Sequence, residues 1–527
     1  MRFLLSSIMI AAALAAPAVA QTMPKVEEAT IDQLQAMMAK DISSEAIVRA
    51  YLARIAAMDR TGPTLRAVIA INPDALAQAK AADARRKSGK SLGRLDGVPV
   101  LIKDNIETSD PIATTAGSLA LKDNITRRDA PVVAELRKAG AVILGKTNLS
   151  EWANIRSSNS VSGWSAIGGQ VRNPYALDRT PCGSSSGSGA AVAASFAAVA
   201  IGTETDGSVV CPSSINGLVG LKPTIGLVSR TRVVPISHSQ DTPGPMAKSV
   251  RDAAILFSAM IAADPADPAT SDAASYRKDY AASLAGASLR GVRIAVLHPE
   301  MLPDQAKLYA AALAVLKAQG AVLVDVEAPK LAGLGEAEFS VLLTELKADL
   351  NTYLASTPAA VKTRTLADVI AFNEANKAAE MPYFGQETFL AAEKTRGLAD
   401  AEYLGARAKS VRLAGAEGID AMLATAKATI LVEPTTGPAW LVEPVYGDDG
   451  HGPSSSELPA VSGYPNLTVP MGLVKGLPVG LSFIGPAHSE QALLDAGYVY
   501  EQASKARVAP KYREHADVGS GQAGLIR

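Results

Sequence analysis

Ser184 and Ser208 lie 24 residues apart, near the two ends of the segment Thr180–Pro212, which reads TPCGSSSGSGAAVAASFAAVAIGTETDGSVVCP. Glycines at both ends permit tight turns, and the alanine-rich middle predicts a short apolar helix between them. A hydroxyl presented on such a turn becomes a nucleophile once a base takes its proton. The chain has five histidines, and none sits in a setting that marks it as that base. His238 is the best placed of them, so a Ser-His-Asp hydrolase stays open as an alternative. A lysine serves equally well if burial in an apolar site depresses its pKa from about 10.4. Lys103 fits that requirement, because it ends the apolar, β-branched run Val98–Ile102 that predicts a core strand. Asp104 and Asn105 follow directly and are expected to supply polar partners, although Asp104 could equally form a plain ion pair with the lysine.

Two motifs in the chain match active-site patterns without the physics behind them. Gly140–Thr147 spells the phosphate-loop pattern GxxxxGK[ST], but its central residues are Ala-Val-Ile-Leu. Those residues predict a buried strand whose amides belong to a sheet ladder, whereas a phosphate cradle needs amides that face a ligand. Gly183–Gly187 spells the nucleophile elbow GxSxG. The residues before it, Arg172–Pro181, contain two prolines and do not form the strand that an elbow requires.

The elements that must position Lys103 and the serines alternate along the chain. Strands are predicted at Val98–Ile102, Ala141–Leu144, Leu218–Leu221, Arg293–Leu297, Ala321–Val326, Thr429–Val432, Leu467–Pro470 and Val479–Ile484. Helices are predicted at Ala46–Met58, Ala130–Ala139, Gln305–Ala318, Glu336–Leu354, Glu387–Lys394 and Ala401–Glu417. This interleaving predicts an α/β chain with one large mixed, twisted sheet flanked by helices on both sides. No repeat or linker divides it, so a single large domain is expected over residues 21–527, and Gly447–Ser456 reads as a surface loop bordering the site. Met1–Ala20 has a basic start, an apolar run and a small-x-small end, which predicts a secretory signal peptide and a periplasmic or secreted protein. No later segment is apolar for long enough to predict a membrane span. The 527 residues carry a net charge of −1, which gives no electrostatic reason to expect nucleic acid. No HExxH motif or close metal-ligand spacing appears, so no metal and no cofactor is expected. Cys182 and Cys211 are the only cysteines; buried free thiols are favoured over a bridge, which requires Cα atoms within about 7 Å.

Four motifs occur in order: Gly97-Val-Pro-Val-Leu-Ile-Lys103-Asp-Asn, Cys182-Gly-Ser184-Ser185-Ser-Gly, Gly202-Thr-Glu-Thr-Asp-Gly207-Ser208, and Gly217-Leu-Val-Gly-Leu-Lys-Pro223-Thr. Together they resemble the amidase signature family, with a signature core at about residues 90–260. The variants at Gly202–Pro212, Ile236–Gly244 and Gly463–Pro470 are most similar to the bacterial peptide amidases of that family. The resemblance implies an amidohydrolase that releases ammonia from a carboxamide, either a peptide C-terminal amide or an aryl, fatty or amino-acid amide. It implies Ser208 as nucleophile, Ser184 as a bridging serine on a cis peptide bond, and Lys103 as the final base. It also implies an oxyanion hole from the N–H groups of Thr205, Asp206, Gly207 and Ser208, with Ser185 and Asp104 as neighbours of the triad. The family's tRNA-dependent transamidation subunit is a competing reading that the predicted export signal disfavours. A catalytically silent binding protein is disfavoured by the intact Lys103, Ser184 and Ser208. Glu204 and Asp206 stand where the family more often has Asp and Gly, and Val210 stands where it often has Arg. Trp164, Tyr175, Trp440 and Tyr446 are candidates for an acyl pocket, or for plain packing. Oligomeric state is not legible.

Overall fold

The computed structural model describes residues 23–517, so the segment read as a signal peptide lies outside the described residues. Eleven strands build one sheet: β1 Val68–Ile71, β2 Pro99–Lys103, β3 Val142–Thr147, β4 Val199–Glu204, β5 Val219–Lys222, β6 Thr242–Ala247, β7 Arg293–Val296, β8 Val322–Asp325, β9 Ile430–Pro434, β10 Asn466–Val474 and β11 Leu477–Ile484. Their order is β1-β3-β2-β4-β6-β5-β10-β11-β9-β7-β8. β2 runs parallel to both β3 and β4, the pairs from β6 through β11 to β9 are antiparallel, and β9-β7-β8 is parallel again. The sheet is therefore mixed, with helices packed on it, as the interleaved sequence pattern predicts.

All eight predicted strands are present, within one to four residues at their ends. Three strands carry no such signal. β4 is Val-Ala-Ile-Gly-Thr-Glu, buried throughout and close behind the alanine-rich helix Ser186–Ala193, so its apolar residues merge with the helical run. β6 is Thr-Pro-Gly-Pro-Met-Ala, and two prolines argue against a central strand. Its ladder with β5 involves only Met246 and Ala247, so Pro243 and Pro245 lie where that neighbour demands no N–H donor. β1 is a short, half-exposed edge strand. The strand reading of the phosphate-loop look-alike holds: Val142–Thr147 is β3, every residue buried.

The main core runs through the sheet and its flanking helices, including Ile102, Ile143, Val192, Ile201, Leu221, Phe257 and Phe483. A second cluster joins the long helix Leu334–Ala355 and the helix Glu387–Glu393 to Trp152, through Leu346, Leu350, Leu354 and Phe389. Fully buried Arg156 ties this helical layer to the rest: it lies 3.2 Å from Glu151, bonds the carbonyl of Glu380 and stacks on Phe384.

Candidate active site

β2 and β4 run in the same direction, so Lys103 and Glu204, their last residues, reach the same edge of the sheet. Lys103 is fully buried. Its Nζ lies 2.7 Å from Ser184 Oγ, 2.9 Å from Thr203 Oγ1 and 3.2 Å from the Thr203 carbonyl oxygen. Asn105 donates to the same Thr203 hydroxyl at 2.9 Å. All of the oxygens around the amine are neutral. Burial lowers the Lys103 pKa to about 7, opposed by the more distant carboxylates of Asp241 and Glu204. A lysine in that range can hold or release a proton at physiological pH.

The loop carrying Ser184 has a cis peptide bond between Gly183 and Ser184. Ser185 fastens it to β4: its Oγ donates to the Thr203 carbonyl at 3.1 Å and accepts from the Thr203 N–H at 3.2 Å. The Ser185 N–H also donates to the Ser208 carbonyl at 3.2 Å, so the two serine loops are tied through backbone.

Ser208 sits on the turn between β4 and the helix Val210–Ile215 and is 8% exposed. The turn depends on Gly207, whose φ is +76°, a left-handed conformation that costs a side-chain-bearing residue about 1 kcal/mol. A Cβ there would also lie 3.0 Å from Ser456 Oγ. Glu204 braces the far side of the turn, its carboxylate accepting from the N–H groups of Val209 at 2.7 Å and Val210 at 2.9 Å. The N–H groups of Thr205, Asp206, Gly207 and Ser208 find no acceptor among the described residues, and Ser208 Oγ likewise has no hydrogen-bond partner there. The turn thus presents four free donors and one free hydroxyl at a single corner of the fold. Thr205 is held from behind, its hydroxyl donating to Asp241 at 2.6 Å, while Asp241 accepts from the N–H groups of Ile236 and Ser237.

A model of the amidase family matches residues 46–494. A probable amidase of Arabidopsis thaliana is 40% identical over 503 residues, covering 92% of each chain. The chain belongs to the amidase signature family. The native peptide amidase of Stenotrophomonas maltophilia superposes with a TM-score of 0.88 at 51% identity, over 93% of this chain and 99% of that one. A glutamyl-tRNA(Gln) amidotransferase polypeptide of Roseiflexus castenholzii is 35% identical, covering 91% of this chain and 96% of its own. This amidase is accordingly a hydrolase of amide C–N bonds.

Several residues stand elsewhere than the sequence suggests. Asp104 does not partner Lys103. Its carboxylate accepts from Thr115 and lies 3.7 Å from Lys146 Nζ on β3. Burial pushes the Asp104 carboxyl up to about 6, and Lys146 holds it down. Cys182 and Cys211 are joined in a disulfide rather than left as free thiols; their Cα atoms are 6.1 Å apart. The bridge links the residue two before Ser184 to the residue three after Ser208. The favoured free-thiol reading fails because 29 residues of separation hide a contact made only when β4 folds back. His238 turns both ring nitrogens to carboxylates, Nδ1 at 2.8 Å from Asp349 and Nε2 at 3.4 Å from Glu345, leaving neither for a serine. His238, Glu345 and Asp349 do form a cluster that sequence spacing does not reveal. Its buried member, Glu345, is already saturated by Ser237, Ser239 and Tyr403.

Among the aromatic candidates, Trp164 packs edge-on against Tyr383 and Phe384, and Tyr175 donates its hydroxyl to the Val508 carbonyl, so both are packing residues. Trp440 donates to Asp448, and Tyr446 is exposed. Ser456, at the end of the predicted loop Gly447–Ser456, lies against Gly207 of the turn. Asn105, expected with Asp104 to partner Lys103, does so through the Thr203 hydroxyl, whereas the roles of Thr203, Asp241 and Ser456 were not legible because each acts through tertiary contact. Among the described residues, no helix is long and apolar enough to cross a membrane.

Proposed function

We propose that this amidase hydrolyses the C-terminal amide of peptides to acid and ammonia through an acyl-enzyme, with Lys103, Ser184 and Ser208 as its triad. Neutral Lys103 takes a proton from Ser184, which takes one from Ser208 as that oxygen adds to the amide carbonyl carbon. Charge develops on the carbonyl oxygen, and the free N–H groups of Thr205, Asp206, Gly207 and Ser208 receive it. One such donor is worth about 3 kcal/mol of transition-state stabilisation. The C–N bond then breaks as the relayed proton passes to the leaving nitrogen, and ammonia departs. Water adds to the ester and restores Ser208.

The observation that carries this reading is a fully buried lysine 2.7 Å from one serine with no carboxylate in contact. A lysine paired with a carboxylate stays a cation and makes a poor base; one ringed by neutral oxygens can give up its proton. Peptide amides are favoured as substrate by the similarity to the Stenotrophomonas maltophilia enzyme. The Cys182–Cys211 bridge adds support for a working place outside the cytoplasm, since structural disulfides persist in oxidising compartments. The test is ammonia release from a panel of amidated dipeptides, fatty amides and anilides, with Ser208→Ala as control. Turnover of the dipeptide amides, abolished in the variant, is expected. Activity retained by Ser208→Ala, or confined to anilides, would refute the assignment.

A further inference from the structure

Beside the catalytic turn lies a cavity of about 400 Å³ whose walls include Glu336, Glu433, Glu457, Ser454 and Ser455. Glu433 is the telling residue. It sits on β9, opposite Ser482 of β11, is only 8% exposed, and its carboxylate accepts no hydrogen bond among the described residues. Its oxygens open onto the cavity, so whatever satisfies them must come from there. The hydroxyls around it are already engaged with one another: Thr435 with Thr468 and Ser482, and Ser482 with Ser455. No cation among the described residues acts on Glu433 or on Glu457. Lys409, an exposed side chain, lies against Gly333 at the rim.

One short segment joins the cavity to the catalytic turn: Ser454, Ser455 and Glu457 line the cavity, and Ser456 between them faces Gly207. The Ser456 hydroxyl lies beside Gly207 and 3.2 Å from Ser454 Oγ. The field of Asp206 reaches both Glu457 and Glu338. Buried Lys222 acts on Asp206 and Glu204, but on none of the cavity carboxylates. Among the described residues, the cavity lining contains no lysine, arginine or histidine, and Lys409 reaches it only at Gly333 on the rim, near Glu336. Burial pushes the Glu433 carboxyl up to about 8.

We infer that this cavity is a cation subsite which takes a protonated amine of the substrate amide, with Glu433 as its principal acceptor and Glu457 and Glu336 around it. This rests on the peptide-amide reading above. It adds that the preferred peptide carries an ammonium group close to the scissile amide, either its free α-amino group or a lysine side chain. A charged hydrogen bond formed in a buried site commonly separates ligands by roughly tenfold or more.

The test compares kcat/KM for four amides: Gly-Phe amide, its N-acetyl form, N-acetyl-Lys-Phe amide and N-acetyl-norleucyl-Phe amide. At least one charged member should exceed its neutral counterpart about tenfold, and whichever pair shows the gap identifies the source of the ammonium. In Glu433→Gln that ratio should fall to about one, with Glu457→Gln as a second variant should the first fold poorly. Equal rates within both pairs, or a ratio unmoved by both substitutions, would overturn the subsite. Calorimetric titration with butylammonium chloride provides a readout independent of turnover. Saturable binding that Glu433→Gln abolishes supports the site even if no peptide amide is hydrolysed, and absence of saturable binding overturns it.

Discussion

Two lysines one strand apart meet opposite fates. Lys103 ends β2, Lys146 lies on β3 as the partner of Ile102, and both are fully buried. Lys146 donates to the Ile106 carbonyl at 2.5 Å and to Thr114 at 2.8 Å, and it lies 3.7 Å from Asp104. Lys103 touches only hydroxyls and a carbonyl. Burial lowers the pKa of both lysines, while Asp104, Asp110 and Glu107 pull Lys146 back toward its charged form. Removal from water is common to the two. What differs is whether a carboxylate is at hand, and that separates a structural cation from a candidate base. Asp104 takes the side of Lys146 because adjacent residues at a strand end face opposite ways.

The contrast is broken most severely at Lys103, the proposed base. Lys103→Met should lower kcat by about 100- to 10,000-fold, the usual worth of a positioned proton acceptor, with thermal unfolding little changed. Steady-state ammonia release and a melting curve check the two halves together. Lys103→Arg should be equally inactive, because a guanidinium stays charged.

Lys146→Met should do the reverse. Asp104 would be left buried and unpaired, a loss of about 3–5 kcal/mol in stability, read by urea unfolding. Activity per folded molecule should change far less than in Lys103→Met. A variant that is stable and inactive would put Lys146 in the chemistry.

The wild-type pH profile sharpens the same comparison. On the proposed mechanism the neutral amine of Lys103 is the active form, and burial lowers its pKa to about 7, so kcat/KM should rise through that pH and level off above it. An ascending limb well below pH 6 or above pH 9 would disconnect the rate from this lysine.

Removing the Cys182–Cys211 bridge by a double alanine substitution should lower stability by about 2–4 kcal/mol. Since both serine loops hang from that bridge, kcat should fall along with it. Glu204→Ala should cost a comparable amount, about 1–3 kcal/mol in stability for each of the two N–H groups left without their acceptor at Val209 and Val210. Urea unfolding of the two variants beside the wild type reads both losses.

Much of this architecture was legible before folding. Strands with their own apolar, β-branched runs, such as Arg293–Val296 and Leu477–Ile484, declared themselves, and so did helices with regular apolar spacing such as Pro303–Ala318. β4 and β6 did not, since one merges its apolar residues with a neighbouring helix and the other contains prolines that lie beyond its ladder with β5, which ends at Met246. Lys103, Ser184 and Ser208 stood out because each belongs to a local turn or strand end with a motif around it. Thr203 and Asp241 carry no such mark. Neither does Glu433, whose significance lies wholly in a missing partner.

Residue types and short-range spacing alone determined that a lysine would leave a core strand and that two serines would sit on glycine turns, because turns and strand ends are local events. Which oxygen each buried charge would meet was decided by the tertiary structure. Burial imposes the same penalty on every lysine, and only the packed arrangement of β2, β3 and β4 assigns a carboxylate to Lys146 and a hydroxyl to Lys103. Likewise, only the packing of β9 against β11 leaves Glu433 without a partner.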